Sequence, residues 1–213
     1  MSFPPLPRSA GSPAGGGPSP TRRSHAFEQM SEYLGGFSGG QVVDLGGAHQ
    51  STIDFVTGCG HRLYAENLLL TLGSLIDNSV LGGLPGNRTD DESPAALPAD
   101  CLAFPPSSVD AMLCWDRLQF LPEKLASTVV DRIHRIMAPG GLLLAMFHPE
   151  QASAAAPLCC RVADARHLQI GTAGAARPLR PFNTRSIERF FHKFESLKFY
   201  LTRENLQEVI VRR

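Results

Sequence analysis

The chain has 213 residues, enough for one domain with a substantial core and too few for two ordinary ones. Its 20 basic residues balance 20 acidic ones, so bulk charge gives no grip on nucleic acid or on an anionic membrane. No apolar run approaches the roughly 20 residues of a membrane span.

The 5 cysteines are odd in number and form no C-x-x-C pair, which argues against a disulfide or zinc framework. They suit a reduced compartment, and the expected location is cytoplasmic. Cys101 and Cys114 sit among apolar neighbours. The adjacent Cys159 and Cys160 suit either reactivity or packing, and the usual burial of free cysteine favours packing.

Residues 1–24 are dominated by Pro, Gly, Ser and Ala, with Arg8, Arg22 and Arg23 and no acid before Glu28. Pro4, Pro5, Pro7, Pro13, Pro18 and Pro20 forbid the amphipathic helix of a transit peptide, and no apolar segment suits secretion. A disordered tail over 1–24 is expected, with one folded domain over 25–213.

In His25 to Tyr33, Phe27, Met30 and Tyr33 are spaced for one helix face, and Gly35-Gly36 closes the helix. Val42 to Leu45 is a β-branched apolar run of the kind found in central parallel strands. The glycine turn Gly46-Gly47 leads to a helix over Gln50 to Thr57, with Gly58 and Gly60 near its end. Arg62 to Ala65 reads as the next strand and Asn67 to Leu75 as a leucine-rich helix.

From Asp77 to Pro98 the pattern dissolves into Gly, Pro, Asn and Asp, which predicts a surface loop. Asp90-Asp91-Glu92 within it is a solvated charge run, since three adjacent acids do not converge on one ion. Ser108 to Trp115 reads as a buried strand. Pro122 suits a first helical position, and Leu125, Val129, Ile133, Ile136 and Met137 share one face of the helix that follows. Pro139-Gly140-Gly141 ends that helix, and Leu142 to Phe147 is apolar enough to require a sheet covered on both faces.

Beyond His148-Pro149 the chain suits a hairpin, Cys160 to Val162 against Leu168 to Ile170. A helix over Ile187 to Phe194, opened by Asn183-Thr184, comes next, and Ser196 to Leu201 with Leu206 to Val211 make a closing strand pair. Strands alternating with helices before a terminal antiparallel pair give an open α/β sheet with helices on both faces.

Four segments carry a resemblance to class I S-adenosylmethionine-dependent methyltransferases of the type 11 kind. Val43-Asp44-Leu45-Gly46-Gly47-Ala48 resembles the first motif, an acid followed two residues on by glycine. Glu66 ends the second strand, where the family places its ribose acid, and Asp100 in Ala99-Asp100-Cys101-Leu102 resembles the acid beside the adenine amine. Ser108 to Asp116 with Leu118-Gln119-Phe120-Leu121 resembles the fourth motif, and Arg135-Ile136-Met137-Ala138-Pro139-Gly140-Gly141 completes the match. The resemblance implies a Rossmann-like, open, mostly parallel seven-stranded sheet, S-adenosylmethionine as cofactor, and methyl transfer to a small-molecule acceptor.

The chemistry of the residues agrees. Gly46 and Gly47 let the backbone approach a ligand, and amides at the helix start can face a carboxylate. Asp44 can answer an ammonium. Glu66, 22 residues after Asp44, stands at about the spacing of a ribose acid, with a cap of the next helix as the alternative. Asp100 suits adenine or a turn. Trp115 suits a ligand wall or the core, and Asp116 a cleft or a helix cap. Gln50 stands where the family has a small residue, and its amide can contact the methionine portion or crowd the turn.

For acceptors that must lose a proton, His49 and His148 are the candidate bases, with His148 the better placed at the end of the apolar strand. Arg177, Arg180 and Asn183 suit an acceptor pocket or a solvated surface. A nicotinamide fingerprint fits worse, because G-x-G-x-x-G read from Gly46 meets Ala48 and Ser51. There is no N-P-P-Y-like box and no Pro-Cys nucleophile for base methylation. The alternative is a methyltransferase-like binding or scaffold protein without catalysis.

Overall fold

The computed structural model describes residues 21–47, 49–76, 97–202 and 205–213. The expected tail through residue 20, the loop over 77–96 with its acidic run, and Ala48 lie outside the described residues. In chain order the elements are β1 (Thr21–Arg23), α1 (His25–Gly35), β2 (Gln41–Asp44), α2 (Gln50–Gly58), β3 (Arg62–Ala65) and α3 (Leu68–Thr71). After these come β4 (Val109–Trp115), a 3-10 turn (Arg117–Phe120), α4 (Glu123–Ile136), β5 (Met137–Phe147) and β6 (Ala154–Ala155). The chain closes with β7 (Leu158–Val162), β8 (His167–Thr172), β9 (Arg177–Pro178), α5 (Thr184–Phe190), β10 (Ser196–Leu201) and β11 (Gln207–Arg212).

The main sheet has six strands among the described residues, in the order β10-β11-β5-β4-β2-β3. β3, β2, β4 and β5 run parallel, and β11 and β10 are antiparallel to their neighbours. Alternate residues of the central strands feed different cores, as a two-faced sheet requires. Val43, Met112 and Leu143 pack with Val129 and Ile133 of α4, while Val42, Leu113 and Leu144 pack with Phe27 and Met30 of α1.

The sheet differs from the expected seven strands. The hairpin β7-β8 stays out of it and joins β1 in a separate three-stranded sheet. Residues 98–104 form turns, with Leu102 at φ 51, and add no edge strand. The expected tail boundary also moves. Thr21–Arg23 pairs with His167–Gln169, and Ser24 caps α1 by accepting from the Phe27 amide. Backbone pairing across such a span of chain leaves no local sequence signal. β5 begins at Met137, directly after α4, because Met137 pairs with Val109 before a register shift restores the regular ladder.

Candidate functional site

The carboxyl ends of β2, β4 and β5 converge on a connected set of side chains. Asp44 closes β2, is fully buried, and accepts from the Gly46 amide at 2.8 Å and from Trp115 Nε1–H at 2.7 Å, both on Oδ1. Its Oδ2 is buried without a hydrogen-bond partner among the described residues. Burial pushes the carboxyl up to about 6, against the opposing effects of the Gly46 and Trp115 hydrogen bonds and the Arg117 charge.

Gly46 is required by this arrangement, since a Cβ there would lie 2.5 Å from Trp115 Cδ1. Gly47, at φ +95, turns the chain toward α2 through backbone that side chains rarely adopt.

Beyond β4, Asp116 and Arg117 form a buried ion pair, Arg117 Nη1 donating to Asp116 Oδ1 at 2.6 Å. The same guanidinium reaches back through Nη2 to the Gly46 carbonyl at 3.3 Å and across to the Leu158 carbonyl at 2.9 Å. Asp116 Oδ2 accepts from the Leu158 amide at 2.9 Å and from His148 Nε2–H at 3.0 Å. Gln119 adds its side-chain oxygen to the His148 amide at 2.6 Å. The ion pair therefore ties the glycine turn, the histidine after β5 and the start of β7 into one network.

Two clefts flank this network. One, of about 420 Å³, is lined by Gly46, Asn67, Leu70, Arg117, Gly174 and Arg177. It opens beside β2, the strand with β3 on one side and β4 on the other, which is the switch point where open α/β sheets take ligands. The other, of about 330 Å³, is lined by His148, Glu150, Gln151, Asn183 and Gln207 among others. His148 gives Nε2–H to Asp116, so its Nδ1 makes no bond inside the network.

No protein-family model matches the chain, and no curated protein matches it. Solved structures do. An S-adenosylmethionine-dependent methyltransferase of Methanosarcina mazei superposes with a TM-score of 0.50 at 12% identity, over 87% of this chain and 96% of that one. The fold is that of S-adenosylmethionine-dependent methyltransferases. A methyltransferase of Mesorhizobium loti gives a TM-score of 0.48 at 12% identity, over 88% of this chain and 98% of its own. The DhpI–SAH complex gives 0.49 at 13%, over 88% and 81%.

Within this methyltransferase fold the expected site residues are placed unequally. Gly46 lines the larger cleft, and Gly47 forms the turn beside it. Glu66 directly follows β3, beside Asp100, whose charge, after burial as the main cause, raises the Glu66 carboxyl. Glu66 Oε2 accepts from the Leu102 amide at 3.3 Å, while Oε1 is buried and unpartnered among the described residues. The helix cap that Glu66 also suited is made by Asn67, whose side chain accepts from the Leu70 amide. Asp100 is exposed on its turn.

Asp44 and Trp115 stand behind the glycine turn, in the core, and Trp115 presents 1% of its surface. Gln50 is exposed at the start of α2 and gives its amide to Asp54 Oδ1 at 2.7 Å. Asp116 makes no helix-cap bond.

Arg177 lines the larger cleft and Asn183 the smaller, where it also caps α5 in a reciprocal box with Ser186. Arg180 lies 4.2 Å over the Phe182 ring and 5.0 Å over the Phe190 ring, and burial lowers it.

Arg117, Gln119 and Asn67 were not legible as site residues. The available signal was polar Asp116, Arg117 and Gln119 alternating with Leu118 and Phe120 straight after a buried strand, a run that must find internal partners if buried.

Among the described residues there is no cluster of metal ligands, and no helix is long and apolar enough to cross a membrane.

Proposed function

We propose that the chain is an S-adenosylmethionine-dependent methyltransferase acting on a small-molecule acceptor. The observation that carries this reading is the cleft at the carboxyl end of β2, at the sheet's switch point, with Gly46 and Arg117 in its wall. The residues present fit the ligand in three respects. Glu66, a carboxylate that the Cys101 thiol and the Leu102 amide hold after β3, suits ribose hydroxyls. Arg117 offers a guanidinium to a carboxylate. Leu70, 78% exposed on the cleft wall, suits a flat apolar ring. Asp44 is the exception, because it is sealed behind Trp115, whose indole is its partner.

S-adenosylmethionine, when bound, supplies a methyl group on a positively charged sulfur. The protein's part is positioning. Arg117 and Glu66 orient the two ends of the ligand, and the Gly46-Gly47 turn lets the backbone come close. Asp116 and Arg117 hold Leu158 and so fix the start of β7 beside the cleft. His148, fixed by Asp116 through Nε2, takes a proton at Nδ1 from an acceptor hydroxyl.

A second reading, binding without catalysis, is favoured by one observation: the Arg117 cation is fixed against the Gly46 carbonyl, where it opposes a sulfonium. Calorimetry with S-adenosylmethionine and S-adenosylhomocysteine tests both. Dissociation constants below about 1 mM are expected for each, and the absence of binding there overturns both readings. Binding followed by no methyl transfer across a panel of small hydroxyl acceptors selects the second.

A further inference from the structure

β7 carries adjacent thiols with different surroundings: Cys160 is buried in the core, and Cys159 is half-buried on the opposite face of the strand. Cys159 Sγ lies 3.3 Å from His49 Nε2, a contact between β7 and the residue that opens α2. His49 stands at the N-cap position of α2 and makes no capping bond with its side chain. Its imidazole is thus available to the thiol.

Two positive groups face this ring, Arg161 from β7, two residues beyond Cys159, and Arg117 from the turn after β4. Burial first, and then these charges, hold the imidazole below its usual range, so it is neutral at pH 7 and can accept a proton.

We propose that Cys159 and His49 form a nucleophilic thiol–imidazole pair, a reactive site for soft carbon electrophiles at the carboxyl edge of the sheet. Sγ attacks the electrophilic carbon while Nε2 takes the thiol proton. The new carbon–sulfur bond replaces the bond to the leaving group, which departs with its electron pair, and the proton passes from His49 to solvent. The remaining described thiols differ. Burial pushes Cys101 and Cys114 up to about 12, and Cys160 well above its ordinary value. Cys59 is half-buried like Cys159 but has no imidazole partner among the described hydrogen bonds, and it serves as the internal reference. The proposal does not depend on the methyltransferase reading.

The test is timed alkylation of the full chain with limiting iodoacetamide at pH 7, read by peptide mass spectrometry. Cys159 is expected to be alkylated at least about ten-fold faster than Cys59, with iodide as leaving group. A smaller ratio overturns the proposal. In His49→Gln the advantage is expected to vanish. In the parent the pH profile of the Cys159 rate is expected to change slope at the His49 titration, whereas in the variant it falls about ten-fold per pH unit throughout, as for an ordinary thiol. An unchanged Cys159 rate in His49→Gln, with Cys114 and Cys160 still protected as evidence of folding, also overturns it.

Discussion

Trp115 Nε1 donates to Asp44 Oδ1 across 2.7 Å, joining the carboxyl ends of β4 and β2 inside the core. The acid that the sequence offers to a ligand ammonium is thereby turned inward, with the indole as its partner. Trp115 is the chain's only tryptophan, so its emission reports this part of the core without a second indole.

Protonation of Asp44 replaces a charge beside the indole with a neutral acid. Tryptophan fluorescence of the native protein is therefore expected to titrate with a midpoint near the Asp44 value of about 6. Asp44→Asn is expected to abolish the transition while keeping an acceptor for the indole. A titration that persists unchanged in Asp44→Asn would assign it to another group.

The same carboxyl makes stability depend on pH. Its folded value of about 6 lies above its ordinary 3.8, so the folded state binds the proton more tightly than the unfolded chain. The contribution is fully present below pH 3.8 and is lost as pH rises through about 6. About two pKa units correspond to about 3 kcal/mol. Urea melts from pH 4 to pH 7 are expected to show Asp44→Asn losing less stability than the parent over this window. Glu66 and Glu208, also raised by burial, contribute slopes of the same sign, so the difference between the proteins is the quantity to read.

Arg117→Leu leaves Asp116 as a buried carboxylate that has lost its guanidinium, and it leaves the Leu158 carbonyl without a donor. Breaking a buried pair from one side costs about 3–5 kcal/mol. Denaturant unfolding is expected to show a loss in that range. Asp116→Asn combined with Arg117→Leu is expected to recover part of it, since no charge is then stranded.

Glu66→Ala removes the unpartnered Oε1 together with the acceptor for the Leu102 amide. Affinity for S-adenosylhomocysteine is expected to fall by about 1–3 kcal/mol, the usual worth of hydrogen bonds to a charged group. Calorimetry checks this, and an unchanged affinity would place the ribose elsewhere.

The alternating cores were legible because a parallel strand covered on both faces shows as a continuous apolar run. Val42-Val43 and Leu142 to Phe147 are such runs, and the leucine and isoleucine spacing of α4 marks its buried face as directly. Asn183 was likewise readable as the opening of a helix. Glu66 at a strand end was readable by position, but its contacts with the turn at Leu102 were not. Trp115 suited a ligand wall or, more often, the core, and the approach of Gly46 decides for the core. The pairing of β1 with β8 and the reach of Arg117 to Gly46 and Leu158 join residues far apart in the chain. Such contacts depend on folding as a whole and leave no period in the sequence.

Under the proposed function, Arg117 also bears on the choice between two nearly identical ligands. On that reading, the part of the Arg117 charge that Asp116 leaves uncompensated would disfavour a sulfonium and leave the neutral thioether unaffected, since the guanidinium lines the cleft. The spent form of the cofactor is thus expected to outcompete the fresh one. If the proposed methyl transfer holds, a protein with that bias would be throttled by its own by-product and would track the cell's ratio of the two forms more closely than the abundance of either.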